Sequence, residues 1–533
     1  MKKIVALFFV VFSWSCYGQK PKLVVGIIVD QMRQEYLLRF EHRFAEGGFK
    51  CLMNDGYMFK NAHFNYIPTY TAPGHTSVYT GTTPAAHGII GNGWYDHLDK
   101  DWIYCAEDST VNTVGSESTS GQMSPKNLLV TTITDELRFS SQMSSKVVGL
   151  SIKDRGAIFP AGHTGQAYWY DKENGNFITS TYYRKDLPDW LKDFNNARHA
   201  DRYLKQTWDT KFDIETYAAS SQDDTPYEGK LLDKVTFPYN LKKLTGNKYE
   251  YLPGTPFGSD ILTDIALAAL DGEDLGNGTH TDFLAISFSS TDYIGHQFGP
   301  NSVEIEDTYV RLDVNIKTIL DKLDQVIGKG EYLVFLTADH AVAEVPQYMI
   351  DSNAPGGYFE VDIETELNEE LAKEFGVDNL VENVSNLQVF LNRDLVRSKR
   401  LDLHKLQDSV VEYLMTKPGM TVAYPAYVVS SASYEKSRLI GPLIKGYNQA
   451  RSGDVLFSLQ SGWLISDRKT GTSHGTGFTY DTHVPMLWYG TGIKSGASVR
   501  YHPITDIAPT LSMLLDIKLP SGASGQPLVE LFE

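Results

Sequence analysis

The stretch KLVVGIIVD, residues 22–30, decides how this chain folds. From Leu23 to Val29 only Gly26 interrupts a run of Leu, Val and Ile, and the run closes on a carboxylate, Asp30. A strand with one wet face alternates apolar and polar residues. This one does not, so it is read as a strand covered on both faces, as strands of parallel sheets are. Four more segments read alike: SKVVGLSI (145–152), TDFLAISFSS (281–290), EYLVFLTAD (331–339) and VPMLWYG (484–490). Helical patterns lie between several of them. In DTYVRLDVNIKTILDKLDQVIG (307–328), Tyr309, Leu312, Ile316, Ile319 and Leu323 recur at alternating three- and four-residue steps, the spacing of one helix face. Strands alternating with helices predict an α/β fold: a mostly parallel central sheet with helices on both faces.

Two blocks break that rhythm. Residues 159–253 are polar and aromatic, with Trp169, Trp190 and Trp208, and AYWYDKENGNFITSTYY predicts a hairpin at Asn174-Gly175. Residues 345–468 contain VDIETELNEELAKEFG, read as the solvated face of a helix. Both blocks are expected to be insertions capping one edge of the sheet. With 533 residues, 42% of them hydrophobic, the chain can bury a large core and is not generally disordered. A net charge of −18 excludes a nucleic-acid scaffold, which needs a basic face. It leaves an anionic small substrate open, because bound metal ions reverse the local field.

The N-terminus, MKKIVALFFVVFSWSCYGQK, places two lysines before an apolar run, Ile4 to Phe12, that is too short to cross a bilayer. It reads as a secretory signal over residues 1–18, with cleavage after Gly18, and predicts a periplasmic or secreted chain of residues 19–533. Acylation of Cys16 is the alternative, and Trp14 fits it poorly. No other stretch predicts a transmembrane segment. Cys51 and Cys105 are the remaining thiols, and the sequence leaves open whether they pair.

Chemistry-bearing residues gather where strands end. Asp30 ends the first strand, Asp292 and His296 follow TDFLAISFSS, and Asp339 and His340 end EYLVFLTAD. In an open α/β sheet, ligand sites lie just beyond such strand ends. His474 in GTSHGTG and His483 in YDTHVPM add imidazoles. Asp and His together suit zinc, which takes oxygen and imidazole ligands at about 2 Å. Two such ions about 4 Å apart would clamp the attacking and leaving oxygens of a phosphoryl transfer. Three Asp carboxylates plus one alkoxide balance two divalent ions. In SIKDRGAIF, Lys153 and Arg155 are two apart, so an extended backbone would turn both to one side, toward a phosphate.

The set VVGIIVDQMR, TYTAPGHTSVYTG, GIIGNGWYD, SIKDRGAIF, STDYIGH, LTADH and SHGTG resembles the alkaline phosphatase superfamily, and within it the PafA-type periplasmic phosphomonoesterases. The similarity runs from Lys22 to the C-terminal DIAPTLSMLLDIKLPSGASGQPL. Carried onto this chain, the resemblance implies Thr71 as nucleophile and two Zn2+ as cofactors. One ion would be held by Asp292, His296 and His474, the other by Asp30, Asp339, His340 and Thr71. Asn92, Lys153 and Arg155 would bind the non-transferred phosphate oxygens, and His483 would be a structural neighbour. The implied activity is hydrolysis of small phosphate monoesters through a phosphothreonine. The alternatives are a phosphodiesterase or nucleotide pyrophosphatase with the same metals, and a non-catalytic metal- or phosphate-binding protein. A sulfatase is disfavoured because Thr stands where a formylglycine precursor, Cys or Ser, is required. Oligomeric state is not legible.

Overall fold

The computed structural model describes residues 20–359, 362–432 and 440–532. The expected signal, its cleavage point and Cys16 lie outside the described residues. Eight strands carry the central sheet: β1 (Leu23–Val29), β2 (Tyr57–His63), β3 (Val147–Ser151), β4 (Gln166–Tyr170), β5 (Phe177–Ser180), β6 (Asp282–Phe288), β7 (Tyr332–Thr337) and β8 (His483–Gly490). Across the sheet they run β2-β8-β7-β1-β6-β3-β4-β5, extended at the edges by Gly496–Ser498, His502–Pro503 and Thr113–Val114. From β7 to β4 all neighbours are parallel, and every residue of β1, β6 and β7 is buried.

Strand β8 runs antiparallel to both β7 and β2. Its apolar run is as continuous as that of β1, because burial on both faces sets composition, whereas direction is set by the connection.

Helices flank the sheet: α1 (Thr71–Thr80), α2 (Asp154–Ala161), α3 (Phe257–Gly272), α4 (Ser290–Phe298) and α5 (Val303–Val326). In α5, Tyr309, Leu312, Ile316, Ile319 and Leu323 are all buried. Gly26 of β1 leaves room for Tyr79 of α1, since a Cβ there would lie 2.5 Å from the Tyr79 hydroxyl.

The 159–253 block does not lie wholly outside the sheet. Its first part supplies β4 and β5, joined by the expected hairpin, with Gly175 at φ +79° in the turn. Aromatic side chains pack well on a pleated surface, so Tyr168, Trp169 and Tyr170 extend the sheet instead of leaving it. Beyond residue 181 the chain crosses α3, where Trp190 lies against Gly272. In the second block a four-stranded sheet, in the order Val381–Ser385, Gln388–Leu391, Val455–Leu459, Met420–Pro425, packs with helices Ile363–Phe375 and Leu403–Met415 around its own core. Ile67 of the main chain body inserts into that core. Cys51 and Cys105 are free thiols, Cys51 lying against the main core and Cys105 inside a separate hydrophobic cluster.

Candidate active site

Four neighbouring strands, β7, β1, β6 and β3, deliver the site at one edge. Asp339 and His340 follow β7, Asp30 follows β1, Asp292 and His296 lie on α4 just after β6, and Lys153 follows β3. Asp292 and His296 share a face because they are one helical turn apart.

Two side-chain groups form there. Asp292, His296 and His474 make one, and Asp30, Asp339 and His340 the other, each with its donor atoms within 4.8 Å of one another. In the first, Asp292 Oδ1 lies 3.1 Å from His296 Nε2 and 3.6 Å from His474 Nε2. In the second, His340 Nε2 lies 3.5 Å from Asp30 Oδ1 and 3.6 Å from Asp339 Oδ2. All three histidines donate from Nδ1 to a backbone carbonyl: His296 to Thr472, His474 to Thr69 and His340 to Ala341. That bond fixes the neutral tautomer and turns a bare Nε2 lone pair inward, the arrangement metal-ligating histidines use.

Lys153 joins the groups, donating to Asp30 Oδ2 at 2.7 Å and to Asp292 Oδ2 at 2.6 Å. Burial, with the Asp292 and Asp339 charges, pushes the Asp30 carboxyl well above the usual carboxylate range. Burial acts the same way on Asp292, yet His296 and Lys153 hold it well below. Asp339 is likewise buried, and His340 and His75 hold it low. One ammonium thus faces three carboxylates in a dry pocket. Asp30 Oδ1, Asp339 Oδ2 and His340 Nε2 have no hydrogen-bond partner. Buried polar atoms left so cost about 1–3 kcal/mol each. Excess negative charge, unpartnered oxygens and inward-facing Nε2 atoms together fit divalent cations with oxygen and nitrogen preferences.

Thr71 is the first residue of α1 and is buried, with Oγ1 3.5 Å from Lys153 Nζ. The next amide, Ala72 N, donates to Asn92 Oδ1 at 2.9 Å, so the Asn92 amide group is anchored at the positive end of the helix. Arg155 is not on extended backbone beside Lys153. Asp154 opens α2, which makes Arg155 helical, and its Nη1 donates to the Tyr104 hydroxyl at 2.9 Å. His483 stands apart from both groups, stacked on His63 at 4.5 Å between ring centroids.

Two participants stand outside the predicted set. Gln31, at φ +65°, donates from Nε2 to Asp292 at 2.7 Å and from its backbone to Asp339 at 3.2 Å, so it ties the two groups together. His75 donates to the Thr71 carbonyl, with Nε2 2.7 Å from Ser287 Oγ. A glutamine next to an aspartate looks ordinary, and only the φ angle and the contacts reveal it. His75 sits one turn beyond Thr71, a spacing that would have found it.

Residues 24–484 match the family described as Type I phosphodiesterase / nucleotide pyrophosphatase. The chain belongs to that family. Two relatives show how far the likeness extends. Alkaline phosphatase PafA of Elizabethkingia meningoseptica is 45% identical over 521 residues, covering 96% of this chain and 94% of that protein. Alkaline phosphatase PhoV of Synechococcus elongatus is 44% identical over 518 residues, covering 96% and 93%. The crystal structure of wild-type PafA matches with a TM-score of 0.92 at 43% identity, over 96% of this chain and 99% of that one. A solved PafA variant, changed at one Thr, one Asn, one Lys and one Arg, matches equally well. Within the family, then, this member keeps the complete architecture of PafA.

Proposed function

We propose that the protein is an exported phosphomonoesterase that holds two zinc ions, one on Asp292, His296 and His474, the other on Asp30, Asp339 and His340. The observation that carries the proposal is the meeting of two Asp/His groups with Thr71, Lys153 and the α1 N-terminus at one strand edge. The names of the relatives support phosphatase chemistry, and the residue types altered in the PafA variant are those of Thr71, Asn92, Lys153 and Arg155. Export rests on the charged, then apolar, then small-residue pattern of residues 1–18.

Bound zinc would lower the pKa of coordinated hydroxyl groups and stabilise charge on oxygens bonded to phosphorus. The chain's own residues would divide the work as follows. The Thr71 hydroxyl gives up its proton and Oγ1 forms a bond to phosphorus as the ester P–O bond breaks, and the departing oxygen leaves with its electron pair and gains a proton. A water oxygen then loses a proton and bonds to phosphorus, the Thr71 Oγ1–P bond breaks with Oγ1 taking up a proton, and inorganic phosphate is released. Lys153, Arg155, the Asn92 amide and the α1 N-terminus hold the non-bridging oxygens, supplying positive charge in a water-poor pocket. Such a clamp favours a dianionic monoester, because a diester's second substituent would meet it.

The family description leaves a diesterase as the competing reading. Hydrolysis of an aryl phosphate should exceed that of a bis-aryl phosphate, and Lys153→Ala should erode that preference. Thr71→Ala should abolish phosphoenzyme. A native preference for the diester would overturn the assignment.

A further inference from the structure

We propose that Lys172 and Tyr293 form a second anion-binding position, which selects phosphate monoesters whose leaving group carries a further negative charge. This rests on the phosphomonoesterase reading. Tyr293 lies on α4 directly after Asp292, beside the Asp292/His296/His474 group. Its half-buried ring has two ammonium groups close to it, with Lys153 Nζ 5.2 Å and Lys172 Nζ 4.7 Å from the ring centroid. Lys172 Nζ donates to the Tyr293 hydroxyl at 3.0 Å.

Lys172 is one of the cations of this acidic chain that stand without an ion pair and, among the described residues, the one such group placed beside Tyr293. Among the described residues, no carboxylate stands within ion-pair distance of it, and the Tyr293 hydroxyl is its one hydrogen-bond partner. Its backbone is also held firmly. The turn that carries it, residues 171–176, is braced by the fully buried Asp171, which accepts from Glu173 N, Asn174 Nδ2 and Ser118 Oγ, each at 2.9 Å. Gly175 is seated so closely that a Cβ would lie 2.5 Å from the Tyr249 ring. A cation fixed in place without a counter-charge loses little entropy on meeting an anion. A carboxylate or second phosphate on the leaving group supplies that charge, while the transferred phosphoryl group stays with Thr71 and Lys153.

The test compares phenyl phosphate with 4-carboxyphenyl phosphate on the zinc-loaded full chain at low ionic strength. Lys172→Ala should lower the ratio of kcat/KM for the carboxylated over the plain substrate about two- to fivefold, chiefly through KM, the effect of one partly exposed ion pair. Lys172→Arg should keep the ratio, Tyr293→Phe should lower it by a smaller factor, and added salt should shrink the native preference. An unchanged ratio in Lys172→Ala, or an equal loss on both substrates, overturns the second anion position. A native enzyme inert toward phenyl phosphate would instead overturn the phosphomonoesterase reading.

Discussion

Replacing Gly74 with Ala tests how the helix of the proposed nucleophile is registered against the proposed metal-ligand group. Gly74 lies in the first turn of α1, and a Cβ at that position would stand 2.1 Å from the Asp339 carbonyl oxygen and 2.8 Å from its carbonyl carbon. Both obstacles are backbone, so no side chain can swing aside. Restoring ordinary contact requires α1 and the β7 exit to part by about 1 Å, an overpacking strain of about 1–3 kcal/mol. Helix propensity works the other way, since Ala stabilises a helix interior over Gly by about 0.5–1 kcal/mol. The clash should win, leaving a net loss of roughly 1–2 kcal/mol in a urea melt. The functional effect should be larger. Thr71 rides on α1 and Asp339 on the opposing backbone, and a 1 Å misplacement of reacting groups costs about a hundredfold in rate. Urea unfolding and kcat/KM toward an aryl phosphate, both with zinc saturating, are the measurements. A Gly74→Ala protein at least as stable and as active as the native one would refute the reasoning.

Removal of divalent cations with a chelator should lower the melting temperature and abolish hydrolysis, and zinc should restore both, because three buried carboxylates then face Lys153 alone. Glu228 is buried with both carboxylate oxygens unpartnered, and burial raises its pKa to about 8. The folded state therefore binds the extra proton between about pH 4.5 and 8, and this group's contribution to stability falls as pH rises through that window. Glu228→Gln should flatten that part of the stability–pH curve, as chemical denaturation at several pH values would show. Asp135 is fully buried and accepts from Thr132 N, His163 N and Nδ1, and Thr164 N and Oγ1 at 2.8–3.1 Å, away from the site. Asp135→Ala should cost about 3–5 kcal/mol in unfolding experiments, with kcat/KM of the folded fraction held.

The amino-acid sequence by itself determined the sheet. Runs such as Leu23–Val29 and Tyr332–Thr337 are too apolar for anything but a strand with both faces covered, and Asp30 and Asp339 follow them at the sheet edge where ligand sites gather. The periodicity of α5 and the existence of the hairpin at Gly175 were equally local matters. Strand direction in β8, the entry of β4 and β5 into the main sheet and the free state of Cys51 and Cys105 were not, since each depends on which distant segment lies alongside. The same division runs through the site. Asp292 and His296 are one helical turn apart and could be paired on sight, whereas His474 reaches Asp292 only because Thr69 O fixes its Nδ1 across 405 residues of chain. Gln31 and the Lys172–Tyr293 pair became visible only in three dimensions. Hydrophobic periodicity is written in neighbours along the chain, but the charge balance of a buried pocket is written in neighbours through space.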